Sequence, residues 1–352
     1  MPQHHHAIIV GGGPGGAATA FFLAHYGVRD VLLLDRMLGS PVYDRYHSVC
    51  GEGISRRAFR HLAPMQPWHQ RDSLDRTELV WPGGVRIRRR LDGLVLDRPR
   101  FLAELRHRAE EGGCRLRRGT LVSVREQDGL YVLRLRDGAE LSCRYLIGAD
   151  GAFSRVRRDI FGSRPQRILP VKQFMSPEKP QSSTAVIHLG ERYQGCYRWC
   201  FPSGPMSNVG YPKGTDEAPR AVAAGGRYLP FGGVGDIVRD NVLLVGDAAA
   251  QANPVCFGGL RVAMTAAKKA AQAVAKEDPQ AYARWWRRSL WSSPRFLLTH
   301  DRLRSWTDED MHRAVAPFRR GVNPFSVLRA VATMPGNVPM YIAYLITFRY
   351  AW

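Results

Sequence analysis

The 352-residue sequence predicts an α/β fold with three parts: a Rossmann-like domain, a β-sheet region inserted into it, and a helical C-terminal region. Three apolar segments, each running through glycine and aspartate toward a helix, predict the first part. Alternating apolar residues and scattered aromatic residues over 74–96 and 168–230 predict the second. Helix-favouring, aromatic sequence from residue 280 onward predicts the third.

The first apolar segment lies at the N-terminus and has the pattern of a dinucleotide-binding unit. Residues 7–10 predict a buried strand, Gly11 to Gly16 follow as Gly-x-Gly-x-x-Gly, and residues 17–26 predict a helix of small residues. A second strand, residues 31–34, ends at Asp35, whose carboxylate is placed to bind ribose hydroxyls. The alternative is a glycine-rich turn in another α/β protein, and the segment alone does not distinguish NAD from FAD.

The other two segments repeat the strand–turn–helix arrangement. Residues 144–150 predict a buried strand that ends at Asp150-Gly151, and residues 241–247 predict one that ends at Gly246-Asp247. The latter leads through Gly258-Gly259 into an alanine-rich helix. Ligands of α/β proteins bind where parallel strands end, and helix N-termini stabilise negative charge. A plain Asp-Gly turn is the alternative for Asp150.

A glycine turn that contains a cysteine follows the first unit. In the segment Ser48-Val49-Cys50-Gly51-Glu52-Gly53, glycines flank Glu52 and indicate close backbone approach, and a helix is expected near Ser55. A lone cysteine is most often a small buried side chain. Its position in a turn after a cofactor strand makes Cys50 a candidate functional residue as well.

The inserted region contains a predicted hairpin over residues 74–96, with its turn at residues 82–84. An amphipathic helix is expected from about Arg98 to residue 111. Tyr197, Trp199 and Phe201 alternate along a predicted strand, so they share one face before Pro202. This face is either ordinary core or the wall of an apolar pocket.

Composition and charge exclude several classes of protein. The net charge is +20, yet the arginines are spread along the chain without a nucleic-acid-binding motif, so we expect no nucleic-acid partner. The six cysteines lack the paired spacing of a metal site, and we expect neither a metal nor a disulfide framework. Because the first apolar run is the dinucleotide strand itself, no secretory leader is expected and the localisation is expected to be cytoplasmic.

The two ends of the chain carry weaker signals. Residues 1–6 include three histidines and predict a disordered lead-in. Residues 338–352 are apolar but shorter than the roughly 20 residues that span a bilayer. They predict a packed or an interfacial helix, so peripheral contact with a membrane stays open.

Three motifs resemble those of the flavoprotein family that includes the class A monooxygenases and the geranylgeranyl reductases. They are GGGPGG followed by Asp35, ADGAFSRVR from residue 149, and VGDAAAQANPVCFGGLRVA from residue 245. LDRPRFLAEL resembles the helix whose arginine lies near the cofactor, and residues 119–122 resemble the strand that meets the adenine. The resemblance implies FAD binding by Gly11, Gly13, Pro14, Gly15, Gly16, Asp35, Arg36, Cys50, Gly51, Arg98, Val122, Asp150, Gly151, Gly246, Asp247, Pro254, Gly258, Gly259 and Leu260.

Two further motifs resemble those of the geranylgeranyl reductase branch. CGEGIS is similar to its cysteine turn beside the flavin, and YRWCFP is similar to its isoprenoid-binding motif. This implies reduction of carbon–carbon double bonds of a prenyl substrate by hydride transfer from flavin N5, with Cys50 as catalytic residue. The implied substrate-binding residues are Tyr197, Trp199, Phe201 and Pro202. The short stretch between residues 210 and 232, and Ala250 and Phe257 at usual glycine positions, predict a smaller or different substrate.

The resemblance also implies a domain division. Residues 1–60, 97–165 and 232–280 form the FAD-binding domain, residues 61–96 and 166–231 form the substrate domain, and residues 281–352 form the helical region. The alternatives are a monooxygenase on the same fold, a flavin-dependent halogenase, and a non-catalytic flavoprotein or membrane-recruited binding module. The electron donor is open between NADPH and a reduced ferredoxin, and the sequence does not indicate the oligomeric state.

Overall fold

The computed structural model describes residues 2–178 and 183–351; Met1, residues 179–182 and Trp352, which belong to the predicted domain ranges, lie outside the described residues. The strands are β1 (Gln3–Val10), β2 (Val31–Asp35), β3 (Gly53–Ser55), β4 (Gln70–Trp81), β5 (Val85–Leu96), β6 (Arg115–Arg118), β7 (Leu121–Gln127), β8 (Leu130–Leu135), β9 (Glu140–Gly148), β10 (Arg167–Ser176), β11 (Thr184–His188), β12 (Arg198–Ser203), β13 (Met206–Pro212), β14 (Ala223–Phe231), β15 (Val238–Arg239) and β16 (Val242–Leu244). The helices are α1 (Pro14–His25), α2 (Pro41–His47), α3 (Ala58–His61), α4 (Arg98–Glu111), α5 (Leu260–Ala275), α6 (Pro279–Arg288), α7 (Pro294–Ser305), α8 (Asp308–Val315), α9 (Pro324–Thr333) and α10 (Val338–Ile346).

The first sheet has a parallel core in the order β16-β9-β1-β2-β6, which confirms the predicted α/β class. The second halves of β1 and β9, together with β2 and β16, consist almost wholly of buried apolar residues, as parallel strands covered on both faces must, whereas the edge strand β6 is mostly polar and has no buried residue. The amino-terminal half of β9 also pairs antiparallel with β8, which pairs in turn with β7. All five parallel strands end at one edge, where the predicted glycine and aspartate turns follow.

The N-terminal lead-in forms a strand from Gln3 onward, so the prediction of disorder is wrong for residues 3–6, whereas Met1 lies outside the described residues. Residues from Gln3 onward continue β1 and pair with β9. His5 is buried, and its ring nitrogen contacts the carboxylate of Asp30 at 3.1 Å. The polar sequence does not predict this strand, because its histidines are held by partners that are distant in sequence.

The second sheet contains β14-β10-β13-β12-β11-β4-β5-β3 in that order. The predicted hairpin is β4 and β5, joined by a turn at Pro82–Gly84. The helix expected near Ser55 is wrong: Gly53–Ser55 pairs with β5 as the edge strand, and α3 begins only at Ala58. The predicted FAD-binding range of residues 1–60 therefore includes β3, a strand of the second sheet. The domain division stays a prediction.

Helices α6–α10 form the C-terminal region, which confirms its predicted helical character. Leu303, Met311, Val315 and Phe318 pack from this region onto the second sheet, within one apolar cluster that includes Leu79 and Trp199. Among residues 2–178 and 183–351, no helix has the length and apolar character needed to span a lipid bilayer.

Candidate active site

One cleft of about 440 Å³ lies between the two sheets. On one side, the turns after β1, β2, β9 and β16 line it; we call these turns the sheet-edge wall. On the other side, Tyr197, Trp199, Phe201 and Phe257 form what we call the aromatic wall. The segment from Tyr46 to Ile54, which carries Cys50, lies along the same cleft.

The glycine turn of the sheet-edge wall is sterically closed to larger residues. A Cβ on Gly16 would lie 1.7 Å from the Gly11 carbonyl oxygen, and one on Gly11 would lie 2.3 Å from that of Ala149. Gly11 also has a φ of +105°, which favours glycine. These contacts bring the start of α1 against β1 and β9, and residues 13–15 at that start line the cleft. A helix N-terminus at this place can stabilise an anion.

Asp35 ends β2 beside that turn and is buried. Its two carboxylate oxygens accept hydrogen bonds from the backbone N–H groups of Gly12 and Met37, each at 2.6 Å. Each oxygen retains a lone pair for a further donor. Asp35 can therefore accept ribose hydroxyls while its own position is held by backbone donors.

The junction after β9 is held by Asp150 and Arg157. The Asp150 carboxylate accepts from the Ser154 hydroxyl and from the backbone N–H groups of Arg155 at 2.6 Å and Val156 at 3.2 Å. Burial raises the pKa of Asp150 despite these donors. Arg157 is buried and donates to the carbonyls of Ala152 at 2.8 Å and Ala248 at 2.7 Å. It thereby joins the turns that follow β9 and β16.

The junction after β16 places Asp247 in the cleft. The Gln251 side chain accepts from the Gly246 N–H at 2.7 Å and donates to the Tyr282 hydroxyl at 2.8 Å, so α6 supports this turn. A guanidinium nitrogen of Arg227, from β14, lies 3.5 Å from an Asp247 carboxylate oxygen. Arg227 also lies over the Tyr46 ring at 5.1 Å. The second sheet thus supplies a cation directly opposite the sheet-edge wall.

Cys50 is half-buried in the cleft, and residues from three distant segments hold its turn. Arg98 donates from its guanidinium to the carbonyls of His47 and Val49. The Asn208 amide donates to the Cys50 carbonyl at 2.6 Å, while its oxygen accepts from the Trp199 indole N–H at 3.0 Å. Asn208 therefore fixes the cysteine turn and the aromatic wall in one arrangement.

Glu52 is a buried carboxyl group in the same turn, only 1% exposed. It accepts from the Arg98 backbone N–H at 3.3 Å and pairs with the Arg71 guanidinium at 3.2 Å. Burial raises the pKa of Glu52 to about 7, although Arg98 and Arg71 oppose the shift. Its backbone N–H lies 3.3 Å from the Cys50 sulfur. The turn therefore places beside the Cys50 backbone a carboxyl group, that of Glu52, which can be protonated near neutral pH.

The aromatic wall packs directly on backbone. A Cβ on Gly51 would lie 2.8 Å from the Phe201 ring, and one on Gly210 would lie 1.9 Å from the Trp199 ring. Tyr197 donates its hydroxyl to the Cys256 carbonyl, and its ring lies 5.8 Å from that of Phe257. The aromatic residues therefore lie between the cysteine turn and the loop that precedes α5.

His47 tests whether the cleft fits a dinucleotide. Its side chain is 2% exposed, and both ring nitrogens are buried without a hydrogen-bond partner in the described structure. Burial, followed by the charge of Arg98, lowers the pKa of His47 to about 2, so the ring is neutral. It lines the cleft, and its Cε1 lies 3.3 Å from where a Gly13 Cβ would stand. An oxygen of a ligand bound over Gly13 would satisfy an otherwise orphaned ring N–H, so the residues fit.

Most of the residues assigned to a site by resemblance line this cleft. They are Gly11, Gly13, Pro14, Gly15, Asp35, Arg36, Cys50, Gly51, Arg98, Asp150, Gly151, Tyr197, Trp199, Phe201, Gly246, Asp247, Gly258, Gly259 and Leu260. Gly16, Val122, Pro202 and Pro254 lie outside the lining as the structure describes it. Gly16 instead packs the helix against β1, and Gly119 to Leu121 line the cleft where Val122 was expected.

Sequence reasoning missed His47, Arg227 and the burial of the Glu52 carboxyl group, and it did not assign a role to Asn208. His47 and Arg227 carry no local signal, because their neighbours come from other elements. Glu52 was noticed only for its flanking glycines. Its positive φ of 59° is rare for a non-glycine residue, and no pattern in the sequence indicates it.

The fold and the cleft define a class of protein, an FAD-dependent oxidoreductase. A family model described as FAD binding domain matches residues 4–62 and 93–170. The chain is similar to digeranylgeranylglycerophospholipid reductase 1 of Methanopyrus kandleri, with 30% identity over 302 residues that cover 72% of this chain and 76% of the relative. The enzyme of that name from Methanococcoides burtonii is 26% identical over 337 residues, covering 80% of this chain and 79% of its own.

A solved structure agrees in fold. A geranylgeranyl bacteriochlorophyll reductase-like protein of Thermoplasma acidophilum superposes with a TM-score of 0.80 at 20% identity, covering 98% of this chain and all of that one. The chain belongs to the geranylgeranyl reductase family of FAD-dependent oxidoreductases. The family predicted from CGEGIS and YRWCFP is confirmed.

Proposed function

We propose that this enzyme reduces carbon–carbon double bonds of an isoprenoid substrate, with Cys50 as the catalytic proton donor. The observation that carries the proposal is that Cys50 and the aromatic wall line the same cleft as the dinucleotide-type glycine turn. The names of the curated relatives state reduction of a digeranylgeranyl phospholipid for those proteins.

In this proposal the cofactor lies extended along the sheet-edge wall. Asp35 and Arg36 hold the adenosine, and the glycine turn and the N-terminus of α1 hold the pyrophosphate. Asp247 binds the ribityl chain, and residues 258–260 face the flavin ring. Support for this arrangement comes from the cleft lining, which contains Asp35, Gly13 and Leu260 together.

The chain's own residues provide the proton and the environment for the reaction. Reduced FAD, when bound, supplies a hydride to one carbon of the double bond. The other carbon needs a proton, which we assign to the Cys50 thiol. Arg98 and Asn208 hold the Cys50 backbone in place, and the aromatic wall excludes water, so the proton comes from a positioned group rather than from solvent.

The aromatic wall is proposed to bind the isoprenoid chain. Its rings offer a continuous apolar surface that an alkene chain can cover without leaving polar groups unpaired. Phe257 stands beside Tyr197 and narrows the space next to residues 258–260. The connection from β13 to β14 is a loop without a helix over the cleft. Both features support a substrate shorter than a membrane diether lipid.

The electron donor in this proposal is NADPH or a reduced ferredoxin. The net charge of +20 favours encounter with an acidic carrier protein. To distinguish NADPH from ferredoxin, each donor is added in turn to the anaerobic enzyme, and reduction of the bound flavin is monitored by its absorbance. A salt-sensitive rate with ferredoxin and no reduction by NADPH would identify the carrier protein.

The test of the function is product analysis. Anaerobic, photoreduced enzyme is incubated with a panel of prenyl alcohols, prenyl phosphates, prenyl phospholipids and quinones, and the products are analysed by mass spectrometry. We expect a gain of two hydrogen atoms for each reduced double bond. A gain of one oxygen atom, coupled to oxygen uptake when air is admitted, would instead identify a monooxygenase. No product from any substrate with fully reducible flavin would favour a non-catalytic flavoprotein.

A further inference from the structure

The C-terminal helices expose an unusual share of the apolar surface. Fifteen large apolar side chains of the described residues are exposed, and eight of them lie between residues 322 and 350. These eight are Val322, Phe325, Val327, Leu328, Val331, Ile342, Leu345 and Tyr350. Single exposed apolar residues are ordinary, but a cluster on neighbouring turns marks an interaction site.

Five of these eight residues lie on helix α9 or just before it, and the amphipathic pattern of this helix is reversed. Its buried positions are the small residues Ser326 and Ala330, which lie four residues apart. Phe325, Leu328 and Val331, at spacings of three, face solvent, with Phe325 85% and Leu328 68% exposed. A helix on a water-facing surface normally shows the opposite arrangement. We call the exposed face of Phe325, Leu328 and Val331 the α9 face.

The charged residues from residue 311 to the C-terminus, the stretch that contains α9, have one sign. Residues 311–352 contain no aspartate or glutamate but include five arginines. Arg319 and Arg320 lie exposed just before α9, and Arg329 lies exposed on the helix itself. An apolar face flanked along the chain by arginines, in a stretch without acidic residues, is complementary to an anionic, apolar surface.

We propose that the α9 face docks on an anionic lipid membrane. Phe325 and Leu328 would enter the boundary between headgroups and acyl chains, while Arg319, Arg320 and Arg329 contact lipid phosphates. A second copy of this chain is a poorer occupant, because a two-fold interface would bring the same arginines together with no acidic residue between them. The proposal does not depend on which substrate the cleft reduces.

Vesicle flotation of the FAD-loaded protein tests the proposal. Vesicles of phosphatidylcholine alone are compared with vesicles that also contain phosphatidylglycerol. We expect binding that depends on phosphatidylglycerol and weakens with salt. The double variant Phe325→Ser/Leu328→Ser should lower the partition coefficient by about tenfold or more. Arg319→Gln/Arg320→Gln should lower it by about thirtyfold, since each of the two basic residues near an anionic surface contributes ~1 kcal/mol and about 1.4 kcal/mol corresponds to a factor of ten.

Val222→Ser is the matched control for the test variant Leu328→Ser. Val222 is 66% exposed in the loop before β14, so its substitution removes similar exposed apolar area outside the α9 face. Val222→Ser should bind vesicles as the wild type does, and all variants should retain the same FAD-to-protein absorbance ratio. Three outcomes would overturn the proposal. In the first, the wild type binds neither kind of vesicle. In the second, Phe325→Ser/Leu328→Ser binds vesicles as strongly as the wild type. In the third, the wild type is a dimer, and Phe325→Ser/Leu328→Ser is a monomer whose vesicle binding is unchanged.

Discussion

The two walls of the cleft are built in different ways. The sheet-edge wall consists of turns that directly follow parallel strands, and its polar groups are largely backbone N–H groups and carboxylates held by them. The aromatic wall consists of side chains whose positions depend on partners far away in sequence, such as Asn208 with Cys50 and Tyr197 with Cys256.

This difference separates two tasks. In the proposed function, the sheet-edge wall meets phosphates and ribose hydroxyls, which are the same in every FAD molecule, so backbone geometry suffices. The aromatic wall and the cysteine turn must meet a particular substrate, and they do so with side chains that can vary without disturbing the sheet. Substitutions in the two walls should therefore have distinct signatures, loss of cofactor on one side and loss of reduction with cofactor retained on the other.

The largest effect is expected from Gly16→Ala. The new Cβ would lie 1.7 Å from the Gly11 carbonyl oxygen, so α1 must move away from β1. The N–H groups at the start of α1 would then no longer be positioned to bind the pyrophosphate of FAD. We expect the affinity for FAD, measured by reconstitution of apoprotein, to fall at least ~100-fold. Gly336→Ala in the turn before α10 is the control, because its backbone has no positive φ and its Cβ would come no nearer than 3.7 Å to a neighbouring atom. Equal FAD affinity in both variants would show that the glycine turn does not position the cofactor.

The next effect is expected from Cys50→Ala. The variant should retain FAD but reduce alkenes about 100-fold more slowly, since a positioned general acid contributes 10²–10⁴-fold in rate. Cys200→Ala is the matched control, because this half-buried thiol belongs to β12 but does not line the cleft. Single-turnover reduction measures both rates. An unchanged rate in Cys50→Ala would remove the thiol from the mechanism and would place the proton source elsewhere on the cleft.

The smallest effect is expected from Glu52→Gln, and it concerns pH. Because burial raises the pKa of Glu52 to about 7, the carboxyl group is protonated below that pH and loses its proton as the pH rises through it. If protonated Glu52 resupplies Cys50, the turnover rate of wild type should decline above about pH 7. In Glu52→Gln this decline should disappear, and the rate at low pH should fall a few-fold, to about one third.

The variant keeps the hydrogen-bond acceptor for the Arg98 backbone N–H, so the turn should be preserved. FAD affinity of Glu52→Gln serves as the control and should equal that of wild type. A turnover profile that still declines above pH 7 in Glu52→Gln would assign the titration to another group. Comparison with Cys50→Ala then distinguishes resupply of the proton to Cys50, which depends on Glu52, from transfer of the proton to the substrate, which depends on Cys50.

Much of the sheet-edge wall could be predicted from the sequence. Gly11, Gly13, Asp35, Asp150 and Asp247 lie at the ends of apolar runs, and the ends of parallel strands necessarily meet at one edge. The errors occurred where tertiary partners override local preference. Residues 4–6 extend β1 because this segment pairs with β9 and because His5 contacts Asp30. Gly53–Ser55 forms a strand because it pairs with β5 at the edge of the second sheet.

The sequence by itself determined the class of fold, the family and the shared face of Tyr197, Trp199 and Phe201, because each of these depends on residues close together in the chain. Only the tertiary structure decided what stands around Cys50. Asn208, Arg98 and Arg227 reach the cleft from three different strands or helices, and the pKa values of Glu52 and His47 depend on burial that no local pattern encodes. The same holds for α9, whose exposed apolar face is evident only once its neighbours are known to bury Ser326 and Ala330 instead.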